Sequence, residues 1–188
     1  MANRRARPAW FGLGIGVCLV FLAATALADS NARIVRLSYA EGDVRLDRGD
    51  GRGFEQGLMN MPVAHGNRVW TRNEALAEVE FEDGDTIRLT PETLLILQQL
   101  ALRSNGVRIT VVELQEGEAY FRLRHNDDND FRILLPGREL ELRKSSRLRL
   151  AVRGQQVELA VMKGEVEIRG QGVKTKVVPT PFYRRSKK

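Results

Sequence analysis

One short pattern recurs along the chain and constrains its fold more than any other feature. It consists of a charged residue, a glycine and an acidic residue, followed by alternating apolar and polar residues. The copies begin at Glu41, Asp83, Glu116 and Lys163. Glycine adopts tight-turn backbone conformations that other residues resist, and a period of two places one face of a strand on a core and the other in water. Each copy therefore predicts a turn between two strands.

Strand-like runs also fill the stretches between these copies. The alternation is clearest where Ala75, Ala77, Val79 and Phe81 face one way and acidic residues face the other. About a dozen short runs, spaced roughly 8 to 12 residues apart, are typical of an all-β domain. We therefore predict a stack of short antiparallel strands and hairpins, either a sandwich or solenoid-like, with little helix outside the N-terminal leader.

Residues 90–103 carry conflicting local signals. Thr90-Pro91-Glu92 is a good helix start, and strong helix formers follow it. Strand signals flank the stretch on both sides, and Asn105-Gly106 then marks a hairpin turn. We favour strands here and keep a helix as the alternative.

Residues 1–28 have the three parts of a secretory signal peptide. Three arginines precede an apolar run over 10–25, and Ala-Leu-Ala at 26–28 is a small-x-small cleavage site. We therefore expect an exported, periplasmic protein, or one anchored in the inner membrane if the leader is not cleaved. The β domain would then span 29–172, and 173–188 would form a basic, disordered tail.

The formal net charge of +6 does not indicate a basic face on the domain. Residues 1–28 contribute +3 and residues 174–188 contribute +6, so the body between them carries −3. A basic patch or stripe is the usual footprint of a nucleic-acid-binding domain. We therefore expect no nucleic-acid partner.

Residues suited to catalysis are scarce. The two histidines, His65 and His125, lie in predicted loops, and the one cysteine, Cys18, lies in the leader. No serine occupies a Gly-x-Ser-x-Gly elbow, so nucleophilic mechanisms are unsupported. The acidic run at 127–130 lacks the glycine and the distal glutamate of an EF-hand loop. We expect no enzymatic activity, no cofactor and no metal.

With these residues in view, the chain resembles the FecR-type periplasmic domain, above all the stand-alone members that carry a signal peptide. The resemblance covers residues 34–169, and the first two of its matching stretches are the most specific. The stretches are 36–44, 61–71, 74–81 with 86–89, 114–123 and 161–166. The resemblance implies an all-β periplasmic module that works by binding and carries no catalytic residues.

Two departures from the family pattern limit what the resemblance implies. FecR-type domains usually have a Thr-Pro followed by an Arg-Gly-Thr stretch, whereas this chain has Leu135-Pro136 and no such stretch near 138–147. Signalling members also have a cytoplasmic segment that binds a sigma factor, and the roughly nine residues before the apolar run are too few for one. We therefore do not transfer sigma-factor regulation to this chain.

The leading hypothesis is an exported, non-enzymatic module that binds another envelope protein through a sheet edge or its loops, in signalling or scaffolding. We assign partner binding to Arg68, Trp70 and Arg72. The alternative is a binder of cell-wall polymer or of an anionic envelope surface, with the basic tail and an aromatic platform of Trp70 and Phe54 as its contacts.

Overall fold

The computed structural model describes residues 33–170 and 173–179. Within them the chain forms fifteen strands and no helix, which confirms the predicted all-β class. The predicted leader, 1–28, lies outside the described residues. The strands are β1 (Val35–Glu41), β2 (Val44–Asp47), β3 (Phe54–Gln56), β4 (Pro62–Val63), β5 (Arg68–Thr71), β6 (Leu76–Phe81), β7 (Thr86–Leu89), β8 (Thr93–Leu102), β9 (Arg108–Leu123), β10 (Asn129–Leu135), β11 (Arg138–Leu142), β12 (Ser146–Arg153), β13 (Gln156–Lys163), β14 (Val166–Gly170) and β15 (Val173–Val177).

The strands form two sheets that share the long strand β9. Sheet A contains, in spatial order, β4, β1, β6, β7, β9, β12 and β13. Sheet B contains β3, β2, β5, β8, β9, β10, β11, β14 and β15. The first half of β9, residues 108–116, pairs with β8 and β10, and the second half, 117–123, pairs with β7 and β12. A single strand therefore ties the two sheets together.

The inward faces of the two sheets pack on one apolar core. Phe81 of sheet A and Phe131 of sheet B meet nearly edge-on, with ring centroids 5.4 Å apart. The predicted alternation in β6 is confirmed, because Ala77, Val79 and Phe81 are all buried. Each fully buried large apolar side chain contributes roughly 1.5–3 kcal/mol, so this shared core holds the sheets face to face.

The glycine motif marks the predicted pair of hydrogen-bonded strands at only one of its four copies. Gly84 lies in the turn of the β6–β7 hairpin, as predicted. At Gly42 and Gly164 the chain instead passes from one sheet to the other, since β1 and β13 belong to sheet A and β2 and β14 to sheet B. At Gly117 there is no turn, and β9 simply continues. The alternation is the same whether the next strand pairs with the last one or packs opposite it, so the pattern alone did not distinguish these cases.

Gly117 lets β9 pass close to the start of β8. Its φ is +90°, and a Cβ added there would lie 2.4 Å from Thr93 Cα and 2.5 Å from the carbonyl oxygen of Glu92. The Thr93 hydroxyl accepts a hydrogen bond from the Glu118 N–H at 3.0 Å and donates one to the Glu118 carbonyl oxygen at 3.0 Å. The crossing point of the two sheets is therefore a close backbone contact that has no room for a side chain.

Residues 93–102 form strand β8, which confirms the favoured prediction and makes the helical alternative wrong. β8 lies between β5 and β9 in sheet B. Thr93, Leu95 and Leu97 are buried on its inner face. Pairing on both sides and burial of alternate residues outweigh the modest helix propensity of the stretch.

Three features of the topology were not indicated by the sequence pattern. The acidic loop that follows β9 does not close a hairpin, because β10 runs parallel to the first half of β9 in sheet B. The stretch 54–67 contains the short strands β3 and β4. β15 pairs with β14 beyond residue 172, so the first part of the predicted tail belongs to sheet B. The end of that tail, 180–188, lies outside the described residues.

A buried polar cluster joins the β6–β7 hairpin to the ends of β9 and β10. Asp85 is 1% exposed, and its Oδ1 accepts a hydrogen bond from the backbone N–H of Arg124 at 2.9 Å. Asn129 Nδ2 donates to Asp83 Oδ2 at 2.9 Å, while Asn129 Oδ1 has no partner among the described residues. Burial raises the pKa of Asp85 to about 6; the nearby Asp83 adds to the rise and Arg124 opposes it.

Gly117→Ala should destabilise the protein by about 2–4 kcal/mol, because a left-handed backbone and a collision with the β8 backbone act together. The matched control is Gly106→Ala, where φ is +84° but nothing lies within 4 Å of the added Cβ. Gly106→Ala should lower the free energy of unfolding by only about 1–2 kcal/mol. Urea unfolding measures both losses, and a Gly117→Ala loss no larger than the control's would contradict the close contact.

The raised pKa of Asp85 should make stability depend on pH. The unfolded chain releases this proton near pH 3.8, whereas the folded protein holds it up to about pH 6. Stability from this group is therefore full below about pH 4 and is lost as the pH rises through 6. Relative to Asp85→Asn, the unfolding free energy of the native protein should fall by about 1–3 kcal/mol between about pH 4 and 7.

Urea titrations at the two pH values measure that change. Asp127→Asn, in the exposed loop before β10, is the control and should keep the pH dependence of the native protein. Identical pH dependence in the native protein and Asp85→Asn would show that Asp85 does not titrate in this window.

Candidate partner-binding surface

Two arginines and two aromatic rings form a continuous stack on the outer face of sheet B. Arg68 Cζ lies 5.2 Å from the ring centroid of Phe54. The centroids of Phe54 and Trp70 are 5.6 Å apart, with the ring planes at 59°. Arg72 Cζ lies 4.9 Å from the Trp70 ring centroid. The structure thus brings together the three residues assigned to partner binding and inserts Phe54 among them.

The pairing of three strands places these side chains together. On β5, Val69 and Thr71 are buried, so Arg68 and Trp70 point away from the core. β2 lies between β5 and β3, and its Asp47 is opposite Arg68 on one side and Phe54 on the other. The Phe54 ring therefore reaches over β2 to meet the side chains of β5. Each cation–π contact at an exposed site contributes about 0.5–1 kcal/mol.

An aspartate lies beside each arginine of the stack, and the pairing is close only at Arg68. Arg68 Nε donates to Asp47 Oδ2 at 3.1 Å, while Arg72 Nε lies 4.0 Å from Asp43 Oδ2. The backbone N–H of Gly49 and then Arg68 hold the pKa of Asp47 below its usual value. The side chains of Arg68 and Arg72 are still 44% and 46% exposed. Both guanidinium groups can therefore make contacts with a partner.

Apolar side chains extend the surface towards the centre of sheet B. Leu94 and Ile96 of β8 lie opposite Trp70 and Arg68 in the antiparallel register, and both are half-buried. The Trp70 Nε1–H is buried and has no acceptor among the described residues. An unpaired buried donor costs about 1–3 kcal/mol. The surface is therefore an apolar strip with arginines at its rim and one donor without a partner.

β13 provides an unpaired sheet edge. Seven of its eight residues pair with β12 on one side, and no described strand pairs with its other side. Glu158 and Lys163 are its only charged residues. Such an edge presents free backbone N–H and C=O groups to which an added strand can bind.

The polar residues considered for chemistry remain dispersed. His65 and His125 are exposed in loops, and Asp130 pairs with Arg132 at 3.3 Å. In the part of the chain that the structure describes, no group of three or more His, Cys, Asp or Glu side chains is placed to hold a metal. No helix among these residues is long and apolar enough to span a membrane.

Sequence reasoning missed Asp47, which anchors the stack. Its position between Arg68 and Phe54 follows from the pairing of β2 with both β3 and β5. The sequence indicated β2 and β5, but it indicated neither β3 nor which strands are neighbours. An aspartate among glycines and arginines in an apparent loop gave no local signal of burial.

A family model described as "FecR protein" matches residues 67–167, more than half of the chain. Two crystal structures of a candidate anti-sigma factor from Parabacteroides distasonis ATCC 8503 are similar, at 16% identity with a TM-score of 0.50 and at 15% identity with a TM-score of 0.49. Each comparison covers 60% of this chain and 51% of the other, so the chain spans about half the length of those proteins. No curated protein matches.

At this low identity, the first of these structures supports the fold alone. The family match includes Arg68, Trp70 and Arg72 and begins after Phe54. The family predicted from the sequence motifs is confirmed.

Proposed function

Because the chain belongs to the FecR protein family, we propose that it is a non-enzymatic signalling or scaffolding module that acts by binding another protein of the cell envelope. The signal-peptide pattern of residues 1–28 supports export to the periplasm. The description of the first similar crystal structure as a candidate anti-sigma factor supports a regulatory role. The observation that carries the proposal is the arginine–aromatic stack on sheet B.

The composition of the stack suits a protein partner. Tryptophan, other aromatic residues and arginine are enriched at the energetic centres of protein interfaces. Phe54 and Asp47 already hold Trp70 and Arg68 in place, so less conformational entropy is lost on binding. Arg72 has only a distant ion partner, so it can move and let a partner reach Trp70.

The unpaired edge of β13 offers a second mode of contact. Its main-chain groups would supply affinity by strand addition, and the side chains of alternate residues would supply specificity. The stack remains the better supported surface, because its side chains belong to the residue types that dominate interface energetics.

The first experiment uses the mature chain, residues 29–188, immobilised and exposed to detergent-solubilised membrane proteins of the host envelope. The native protein should retain a discrete protein in about 0.3 M salt, because the contact is not purely electrostatic. Arg72→Ala and Trp70→Phe should each reduce retention by about tenfold or more. Quantitative mass spectrometry of the eluate measures the change.

The control for these variants is Arg36→Gln. Arg36 pairs with Glu80 on sheet A at 2.8 Å and lies away from the stack. It should retain the partner as the native protein does. Equal retention by all four proteins would show that the stack is not the contact surface.

The alternative function, binding of cell-wall polymer or an anionic surface, depends on the basic tail. Part of that charge is already engaged within the domain, since Lys176 Nζ lies 2.8 Å from Glu165 Oε1. Deleting 180–188 tests the tail cleanly, because β15 stays intact. Protein binding predicts little change in retention, whereas polymer binding predicts retention by the insoluble wall that is lost with salt or with the tail.

A further inference from the structure

Three cationic residues line up across sheet A, and none of them forms a close ion pair among the described residues. Arg122 of β9 lies opposite Arg147 of β12, and Arg147 lies opposite Lys163 of β13. Among the described residues, no carboxylate oxygen lies within 4.0 Å of the charged nitrogens of any of the three. We name Arg122, Arg147 and Lys163 the cationic row.

The cationic row costs stability, since like charges directly opposite each other on neighbouring strands repel. Most other arginines of the domain avoid this cost by pairing. Arg149, two residues beyond Arg147 on the same strand, lies 2.7 Å from Glu118. Against the effect of burial, Arg122 is near enough to Glu78 to help lower the pKa of that carboxyl, but Glu78 is already paired with Arg88. The row therefore keeps a net positive charge, which an anionic ligand would offset.

The row lies at one end of a groove on the outer face of sheet A. A depression of about 340 Å³ is lined by Arg122, Arg147, Tyr120 and the exposed Met162. This end of the groove combines positive charge with apolar and aromatic surface. A carboxylate would suit this end, because an arginine can bind it with two parallel hydrogen bonds.

The other end of the groove is largely apolar. An adjoining depression of about 510 Å³ is lined by Tyr39, Leu76 and Tyr120, which are 44%, 39% and 39% exposed. The two depressions share Glu78 and Arg88, which form an ion pair. The middle of the groove is therefore close to neutral, and the net positive charge is confined to the end with the row.

We propose that this groove binds an extended segment of a partner protein that is acidic at one end and apolar at the other. The groove crosses six neighbouring strands, from β1 through β6, β7, β9 and β12 to β13. At about 4.8 Å per strand it is about 24 Å long, which an extended chain spans with about seven residues. The site lies on sheet A and does not depend on the stack on sheet B.

A peptide segment fits the groove better than a uniform polyanion does. A polyanion would occupy the cationic row but would leave Tyr39 and Leu76 without contacts. It would also meet Glu78 in the middle of the groove. A segment that is apolar at one end and acidic at the other can place its apolar residues at the apolar end of the groove and its acidic residues at the cationic end.

The test uses two fluorescein-labelled heptapeptides, Leu-Ile-Leu-Ser-Glu-Asp-Glu and the same residues in reverse order. Both are needed because the groove determines where the acidic end of the segment lies, but not whether that end is N-terminal or C-terminal. Fluorescence anisotropy with the native protein should show binding of at least one peptide with a Kd below about 100 µM. The double variant Arg122→Gln/Arg147→Gln should bind at least about tenfold more weakly. Leu76→Ser should bind about threefold more weakly or worse, through the loss of apolar contact.

Two controls separate binding from folding. Arg45→Gln removes a cation of β2, on sheet B, and should keep the native affinity within about twofold. The double variant should also melt about 1–3 °C higher than the native protein, because a like-charge pair is removed. Weaker binding by a more stable protein would identify the row as a binding feature.

The proposal is overturned if neither peptide binds below about 100 µM, or if the double variant binds as the native protein does. It is also overturned if poly-glutamate or phosphatidylglycerol vesicles compete fully while Leu76→Ser has no effect. That result would make the face a general polyanion surface and would leave the proposal for the stack on sheet B untouched.

Discussion

The architecture depends on one close contact, where β9 passes over the start of β8 at Gly117. A glycine is needed there, because Thr93 and Glu92 occupy the space of a side chain. The contact lets β9 pair with β8 and β10 in one sheet and with β7 and β12 in the other without a break. Both sheets are thereby built on one strand, and their inner faces close over one core.

The two sheets each have an outer face, and the charged residues of these faces are paired differently. On sheet B, Arg68 is paired with Asp47 and lies over Phe54, so this part of the surface is ordered and its charge is offset. Arg72 covers Trp70 and has only a distant aspartate. On sheet A, the cationic row of Arg122, Arg147 and Lys163 forms no close ion pair among the described residues, and the neighbouring groove is half apolar. The surface on sheet B is partly ordered before any partner binds. On sheet A, a bound anionic group would reduce the repulsion within the cationic row. If both proposed surfaces bind, the domain would hold two proteins at once, in keeping with the proposed scaffolding or signalling role.

The sequence was sufficient for the fold class, for the family and for local features such as the alternation in β6 and the hairpin at Gly84. It was insufficient wherever the answer depended on which strands are neighbours. The turn pattern at Gly42 and Gly117 resembles that of the hairpin at Gly84. At Gly42, however, the chain passes to the other sheet, and at Gly117 the strand continues without a turn. The same limit hid the cationic row, because Arg122 and Arg147 become neighbours only through pairing. Trp70 was recognisable from its residue type, but its stacking on Phe54 required the register across β2.

The central claim is that the stack on sheet B contacts a partner protein, and site-specific photo-crosslinking in the host tests it most directly. A photoreactive residue at Gln56, exposed on β3 beside the stack, would report contacts there; one at Asn105, on the exposed tip of the β8–β9 hairpin, serves as the control. The account predicts a discrete crosslinked protein from position 56 and none from position 105. No crosslink at position 56, or the same products from both positions, would contradict it.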